Sequence, residues 1–105
     1  MAAYVINDVH ITDPKLFEQY RQLSPASVEH YGGRFLARGG QTAAIEGDWI
    51  PRRLVIIEFP SLARAQAWVE SAEYAPARRL RQLSARSRMV MVEGVPEAVA
   101  SALPA

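Results

Sequence analysis

The chain has 105 residues, half of them apolar, with a formal net charge of +1 and no cysteine. This length and composition predict one globular domain, and the lack of cysteine excludes disulfides, thiolate metal sites and cysteine nucleophiles. The nearly neutral charge gives no reason to expect a nucleic acid or membrane partner, and no apolar run approaches the roughly 18 residues of a membrane span. The strand pattern begins at Tyr4 with no basic segment before it, so we expect no signal peptide and a cytoplasmic location.

The first part of the chain predicts a strand, a long helix and a second short strand. In residues 4–11 the odd-numbered positions are mostly apolar and the even-numbered positions are mixed. This alternation predicts a strand whose odd-numbered face meets the core. Asn7 on that face is then a buried polar group that needs partners. Asp13 and Pro14 begin a helix, and Pro25 predicts a kink or a restart within it.

The central part of the chain carries the strand around which the remaining elements are predicted to pack. Gly39-Gly40 interrupts the second strand, 34–38, as a bulge or tight turn, and 41–46 is an alternative continuation of that strand. The third strand is predicted over 53–59, and its residues 54–59 form an apolar run that is typical of a strand covered on both faces. Glu58 places a carboxylate inside this run, where a charge is costly unless it is paired.

The last part of the chain predicts a broken helix, a strand and a tail. Ser61 caps a helix that Ser71 and Pro76 interrupt. A further helical segment leads to a fourth strand over 88–93. The predicted domain is 1–94, and 95–105 is expected to be a flexible extension.

The resulting order β-α-β-β-α-β predicts an α+β, ferredoxin-like fold. Its antiparallel sheet has the strand order 4-1-3-2, with the helices on one face. The other face is apolar and uncovered, so we expect a homodimer that packs two such sheets together.

Four short motifs in a fixed order resemble the family called domain of unknown function 1330. They are Gly32-Gly33-Arg34-Phe35-Leu36-Ala37-Arg38-Gly39-Gly40, Glu46-Gly47-Asp48-Trp49, Glu58-Phe59-Pro60-Ser61, and Ser71-Ala72-Glu73-Tyr74 followed by Arg81. The resemblance covers nearly the whole chain and implies a subunit of the dimeric α+β barrel superfamily. Members of that superfamily include cofactor-free monooxygenases, small-lactone isomerases, haem enzymes and non-catalytic regulatory domains, so the function must be argued from the site.

Arg38 and Glu58 are the candidate catalytic residues, because they belong to strands that should be neighbours. A guanidinium and a carboxylate on adjacent strands form a bidentate pair when they meet. In one interpretation Arg38 binds an acidic substrate and Glu58 acts as the general base. In the other, the two residues neutralise each other as a structural ion pair.

Tyr20, Trp68 and Tyr74 are the candidate substrate-binding aromatic residues, together with Asn7 as a polar group. Aromatic walls with polar tips are typical of small-molecule sites. The alternative is ordinary core packing with satisfied hydroxyl and indole groups.

The remaining polar residues predict no further site. The two histidines, His10 and His30, lie in different elements without metal-ligand spacing, so we expect no metal and no cofactor. The basic run from Arg78 to Arg88 accompanies no nucleic-acid-binding motif and is interpreted as a solvated face, with Arg81 turned inward to pair with an acid.

Two hypotheses follow from these patterns. The first is a small enzyme without a cofactor that transforms a small organic acid or aromatic metabolite between its sheet and its helices. The second is a non-catalytic dimer that binds a ligand or a partner protein.

Overall fold

The structure, a computed structural model, describes residues 1–96 of the chain. It is one four-stranded sheet with three helices packed on one of its faces. The elements in chain order are β1 (Ala3–Ile11), α1 (Pro14–His30), β2 (Arg34–Arg38), β3 (Leu54–Phe59), α2 (Leu62–Glu70), α3 (Ala75–Ser84) and β4 (Ala85–Glu93). Residues 97–105 of the predicted flexible tail lie outside the described residues.

The strand order is β2-β3-β1-β4, which is the predicted order 4-1-3-2 read from the other edge. All three strand pairs are antiparallel. The ferredoxin-like α+β fold is therefore confirmed. β4 begins three residues earlier than predicted, because it pairs with β1 along the full length from Ala3↔Glu93 to Ile11↔Ala85.

The core lies between the helices and the odd-numbered face of β1, β3 and β4. Val5 and Phe59 from the sheet are fully buried against Trp68 and Tyr74 from the helical side. The rings of Trp68 and Tyr74 lie 4.1 Å apart, centroid to centroid. Aromatic side chains of this size dominate the energy of a small core.

The other sheet face, which we call the open face, carries the even-numbered side chains of the same strands. Tyr4, Ile6 and Ile56 on this face are half-buried. Val90 and Val92 are 61% and 49% exposed. The register joins Val90, Ile6 and Ile56 into one apolar row across three strands.

Both predicted helix starts are confirmed by their caps. The Asp13 carboxylate accepts a hydrogen bond from the Leu16 amide at 3.1 Å, and the Ser61 hydroxyl accepts one from the Arg64 amide at the same distance. Each cap satisfies an amide that the helix itself leaves unpaired.

Three of the alternatives that the sequence left open are wrong: a restart of α1 at Pro25, a bulge at Gly39-Gly40 and a strand over 41–46. Helix α1 continues through Pro25 without a restart. The irregularity in β2 is a register shift between Phe35 and Ala37 and does not lie at Gly39-Gly40. Gly39 instead ends the strand with a φ of 74°, a conformation that favours glycine. Residues 41–46 lie in the connection to β3 and add no strand to β2.

No helix within residues 1–96 combines the length and the apolar character needed to cross a membrane.

A substitution at Ser27 tests how far the stability of the core depends on a hydrogen-bond acceptor for the Trp68 indole N–H. The indole N–H donates to the Ser27 hydroxyl at 3.1 Å, and that hydroxyl donates to the Ser24 carbonyl at 2.8 Å, all in buried surroundings. Ser27→Ala leaves the indole N–H without an acceptor, so we expect a loss of about 1–3 kcal/mol in the free energy of unfolding, measured by urea denaturation. In a Trp68→Phe background the same substitution should cost clearly less, and equal costs in both backgrounds would contradict this interpretation.

Candidate functional site: a cleft between α1 and the sheet

A narrow cleft lies between helix α1 and the odd-numbered face of the sheet. The cavity volume of the cleft is about 20 Å³. The residues that line it are mostly apolar or aromatic, with arginines at the mouth and one amide: Asn7, Val9, Phe17, Tyr20, Arg21, Ser24, Phe35, Arg38, Arg53, Val55, Ile57 and Met89. An apolar cleft with a few polar groups is the usual composition of a small-molecule site.

Arg38 reaches the mouth of the cleft because of two irregularities in the chain. The register shift in β2 places Arg38 opposite Val55, whose side chain lies on the face covered by the helices. Pro25 has no amide hydrogen, so it cannot donate to the carbonyl of Arg21 one helical turn earlier. Arg38 Nη2 donates to that carbonyl instead, at 2.7 Å. A missing bond in α1 therefore fixes the position of the Arg38 side chain.

Arg53 is the second arginine of the mouth and was not identified from the sequence. It directly precedes β3, and its carbonyl accepts a hydrogen bond from the Val9 amide at 2.9 Å. Its guanidinium lies 5.6 Å from the centre of the Phe17 ring, and Arg38 lies 4.5 Å from the centre of the Phe35 ring. The sequence does contain an indication of this position, because Arg53 is odd-numbered like Val55 and the other inward-facing residues of β3.

The mouth of the cleft concentrates positive charge. The pKa of Arg38 is lowered mainly by partial burial and, to a smaller extent, by the positive charge of the nearby Arg21. The pKa of Arg53 is likewise lowered mainly by partial burial and then by the positive charges of Arg21 and Arg38. Both side chains remain charged, because arginine is not deprotonated in proteins. Among the described residues that line the cleft, none carries a carboxylate; Glu18, outside the lining, pairs with Arg21 at 3.1 Å on the surface.

Asn7 and Tyr20 are the other polar groups of the cleft. Asn7 is 3% exposed, and its side-chain oxygen has no hydrogen-bond partner within residues 1–96. The Tyr20 hydroxyl lies 3.2 Å from that of Tyr74, which accepts a hydrogen bond from Arg81 Nε at 3.1 Å. Burial, and then the neighbouring Tyr74, raises the pKa of Tyr20 well above its usual range, so this hydroxyl keeps its proton at neutral pH.

Trp68 and Tyr74 lie in the core and do not line the cleft. Both are fully buried, and the indole N–H of Trp68 is satisfied by Ser27. The Tyr74 hydroxyl lies 3.2 Å from that of Tyr20, which does line the cleft. Of the aromatic residues predicted as walls of the site, the structure therefore places Tyr20 in the cleft, and it places Phe17 and Phe35 there beside it.

The predicted pairing of Arg38 with Glu58 is wrong. Glu58 lies opposite Tyr4 and Arg34, on the open face of the sheet. Its partner is Arg34, whose Nε donates to the carboxylate at 3.0 Å. Arg38 lies on the covered face, because the register shift in β2 changes which side chains point inward. Glu58 and Asn7 are thus separated by the thickness of the sheet.

The remaining candidates form no second centre. His10 lies on the open face opposite Arg86, whereas His30 ends α1 with its Nε2 3.7 Å from a Glu73 oxygen. Within residues 1–96 no group of three or more histidine, aspartate or glutamate side chains is arranged to hold a metal ion. Arg81 is turned inward as predicted, but its partner is a tyrosine hydroxyl and not an acid.

Comparisons with known proteins give the family and the fold. The model of the family named domain of unknown function (DUF1330) matches residues 2–95. A protein of unknown function from Rhodopseudomonas palustris is similar in structure, with a TM-score of 0.71 and 20% sequence identity over 90% of this chain and 83% of that one. None of the curated proteins compared with the chain matches it.

Two further solved structures show the same fold at lower sequence identity. A dimeric ferredoxin-like protein of unknown function from Jannaschia sp. CCS1 has a TM-score of 0.69 and 12% identity, over 90% of this chain and 100% of that one. SnoaB, a cofactor-independent oxygenase from Streptomyces nogalater, has a TM-score of 0.61 and 12% identity, over 90% of this chain and 94% of that one. Because the family model spans nearly the whole chain, the protein belongs to the DUF1330 family.

Proposed function

We propose that the cleft binds a small organic anion, a carboxylate above all, and that Arg38 and Arg53 are the residues that hold its charge. One observation carries this proposal: two guanidinium groups converge on an apolar cleft that has no carboxylate among its described lining residues. Like charges that are partly buried together are costly unless an opposite charge joins them. Arginine presents planar, paired donors that match a carboxylate.

The ligand has to displace side chains when it enters. The cavity volume of the cleft, about 20 Å³, has room for roughly one water molecule. Arg38 and Arg53 form the mouth; Arg38 is held by its hydrogen bond to the Arg21 carbonyl, so the long side chain of Arg53 is the group most able to move aside. An anion then draws both guanidinium groups onto itself, so binding closes the site around the ligand.

Binding is favoured over acid–base catalysis by the groups that face the cleft. Tyr20 keeps its proton, and Glu58, proposed from the sequence as a general base, lies on the opposite face. A second candidate, transformation of the ligand without a cofactor, is supported by the structural likeness to SnoaB. It would be tested by following oxygen uptake and product formation with each acid that binds, and it fails if bound acids are recovered unchanged.

The second part of the proposal is a homodimer formed through the open face. The centre of this face is the apolar row of Val90, Ile6 and Ile56, with the exposed Val92 beside it. An apolar surface of this kind is typical of an interface, and a two-fold axis would pair it with the same surface of a second copy. The dimeric state of the similar protein from Jannaschia supports a dimer, and the open apolar face is the reason to place its interface there.

The cleft proposal is tested by titrating the protein with benzoate, cyclohexanecarboxylate, benzyl alcohol and benzylamine in a calorimeter. We expect the two carboxylates to bind, and the neutral and cationic compounds of similar size not to bind. Arg53→Gln should weaken carboxylate binding about 10- to 100-fold, because a hydrogen bond to a charged group is worth about 1.5–3 kcal/mol.

The matched control is Arg34→Gln, the same substitution on the opposite face of the sheet, which should leave carboxylate affinity unchanged. Glu58→Gln should also leave it unchanged. The proposal fails if neither carboxylate binds, if benzylamine binds equally well, or if Arg53→Gln and Arg34→Gln have the same effect.

The dimer proposal is tested by Val90→Asp, which places a charge at the centre of the apolar row. We expect this variant to be a monomer and the wild type a dimer, measured by light scattering during gel filtration, because an unpaired buried charge opposes association. Leu83→Asp is the control: Leu83 is 60% exposed on α3, away from the open face. A dimeric Val90→Asp protein, or a monomeric wild type, would contradict the proposed interface.

A further inference from the structure

The cleft contains two unsatisfied polar atoms of opposite hydrogen-bonding character. The side-chain oxygen of Asn7, an acceptor, and Nε of Arg53, a donor, are both buried without a partner within residues 1–96. The third such atom in that part of the chain, Oγ of Ser87, does not belong to the residues that line the cleft. Buried polar atoms are almost always paired, so an exception needs an explanation.

Asn7 has no structural reason to be polar. It lies at the centre of β1, between Val55 on one neighbouring strand and Met89 on the other. Its backbone belongs to the sheet whatever its side chain is, and an apolar side chain of similar size would suit these neighbours better. An unpaired acceptor retained in such a place indicates a ligand group that donates to it.

The acceptor and the arginine mouth lie at different places along one line across the sheet. Arg38 pairs with Val55, and Val55 pairs with Asn7. Arg38 and Asn7 are therefore two strands apart, which is about 10 Å between their backbones. The cleft between them is lined by apolar and aromatic side chains, including Phe17, Phe35 and Met89.

We infer that the ligand of the cleft is a hydroxyl-bearing carboxylic acid with a flat apolar body, such as a hydroxylated aromatic acid. Its carboxylate accepts from Arg38 and Arg53, its body lies between Val55 and the aromatic side chains, and its hydroxyl donates to Asn7. This inference rests on the proposed function and narrows it, because it requires a donor at the end of the ligand opposite to the charge.

The test compares the 2-, 3- and 4-hydroxybenzoates with benzoate and with the three methoxybenzoates, by calorimetric titration of the full-length protein at neutral pH. A methoxy group accepts hydrogen bonds but cannot donate one. We expect at least one hydroxybenzoate to bind about tenfold or more tightly than benzoate and than its own methoxy counterpart. Equal affinities, or a preference for the methoxy compound, would overturn the inference.

Asn7→Leu identifies the residue responsible for this preference. We expect the variant to lose its preference for the hydroxyl, with the affinities of hydroxybenzoate and benzoate within about threefold of each other. Its Tm without ligand should rise, because a buried unpaired group has been replaced by an apolar one. Asn7→Ala provides the same comparison if the leucine variant does not fold. A preference that survives in the variant that folds would overturn the role of Asn7.

The outcomes separate the two levels of the argument. If no carboxylate binds, the proposed function fails and this inference fails with it. If the carboxylates bind through Arg53 but hydroxyl-bearing and hydroxyl-free acids bind equally, the proposed function stands and only the inference is overturned.

Discussion

The alternation of side chains along β1 and β3 determines which residues of this protein can act together. Successive residues of a strand point to opposite faces, and the pairing of Asn7 with Val55 and of Tyr4 with Glu58 fixes that alternation for both strands. The helices cover the odd-numbered face, so Asn7 is enclosed, while Glu58 lies on the open face beside Arg34. A shift of one residue in this register would exchange the two faces, which the apolar pattern of the strands prevents.

The position of Arg38 shows how an unfavourable local feature contributes to a site. A proline inside a helix removes one hydrogen bond and leaves the carbonyl one turn earlier without its usual donor. In α1 that carbonyl belongs to Arg21, and the guanidinium of Arg38 reaches across from β2 to satisfy it. Arg38 uses one of its five donors there, so the others remain for a ligand. Pro25 thus couples the geometry of α1 to the charge at the mouth of the cleft.

The sequence predicted the topology well because the signals for it are local. Alternation, caps and breakers lie within a few residues of the elements that they define, and Asp13 and Ser61 cap their helices as expected. The burial of Asn7 was predicted from its odd-numbered position in the first strand alone. The partner of Arg38 could not be predicted in this way, since the register shift between Phe35 and Ala37 has no glycine or proline to mark it. Parity also indicates that Arg53 faces inward, but a charged residue at the start of a strand is usually solvated, so its role becomes visible only when α1 is in place.

The same features that suit the cleft to an anion make the empty protein less stable than it could be. Partial burial and the nearby Arg21 lower the pKa of Arg38, and partial burial, Arg21 and Arg38 lower the pKa of Arg53. The Asn7 oxygen lacks a partner within residues 1–96. Neither feature helps the chain to fold, because apolar residues at these positions would remove both costs. A ligand that carries a carboxylate at one end and a donor at the other removes them as well, and its binding energy then adds to the stability of the folded state. Buried groups that weaken the empty protein and are complementary to one kind of molecule are best explained by the binding of that molecule.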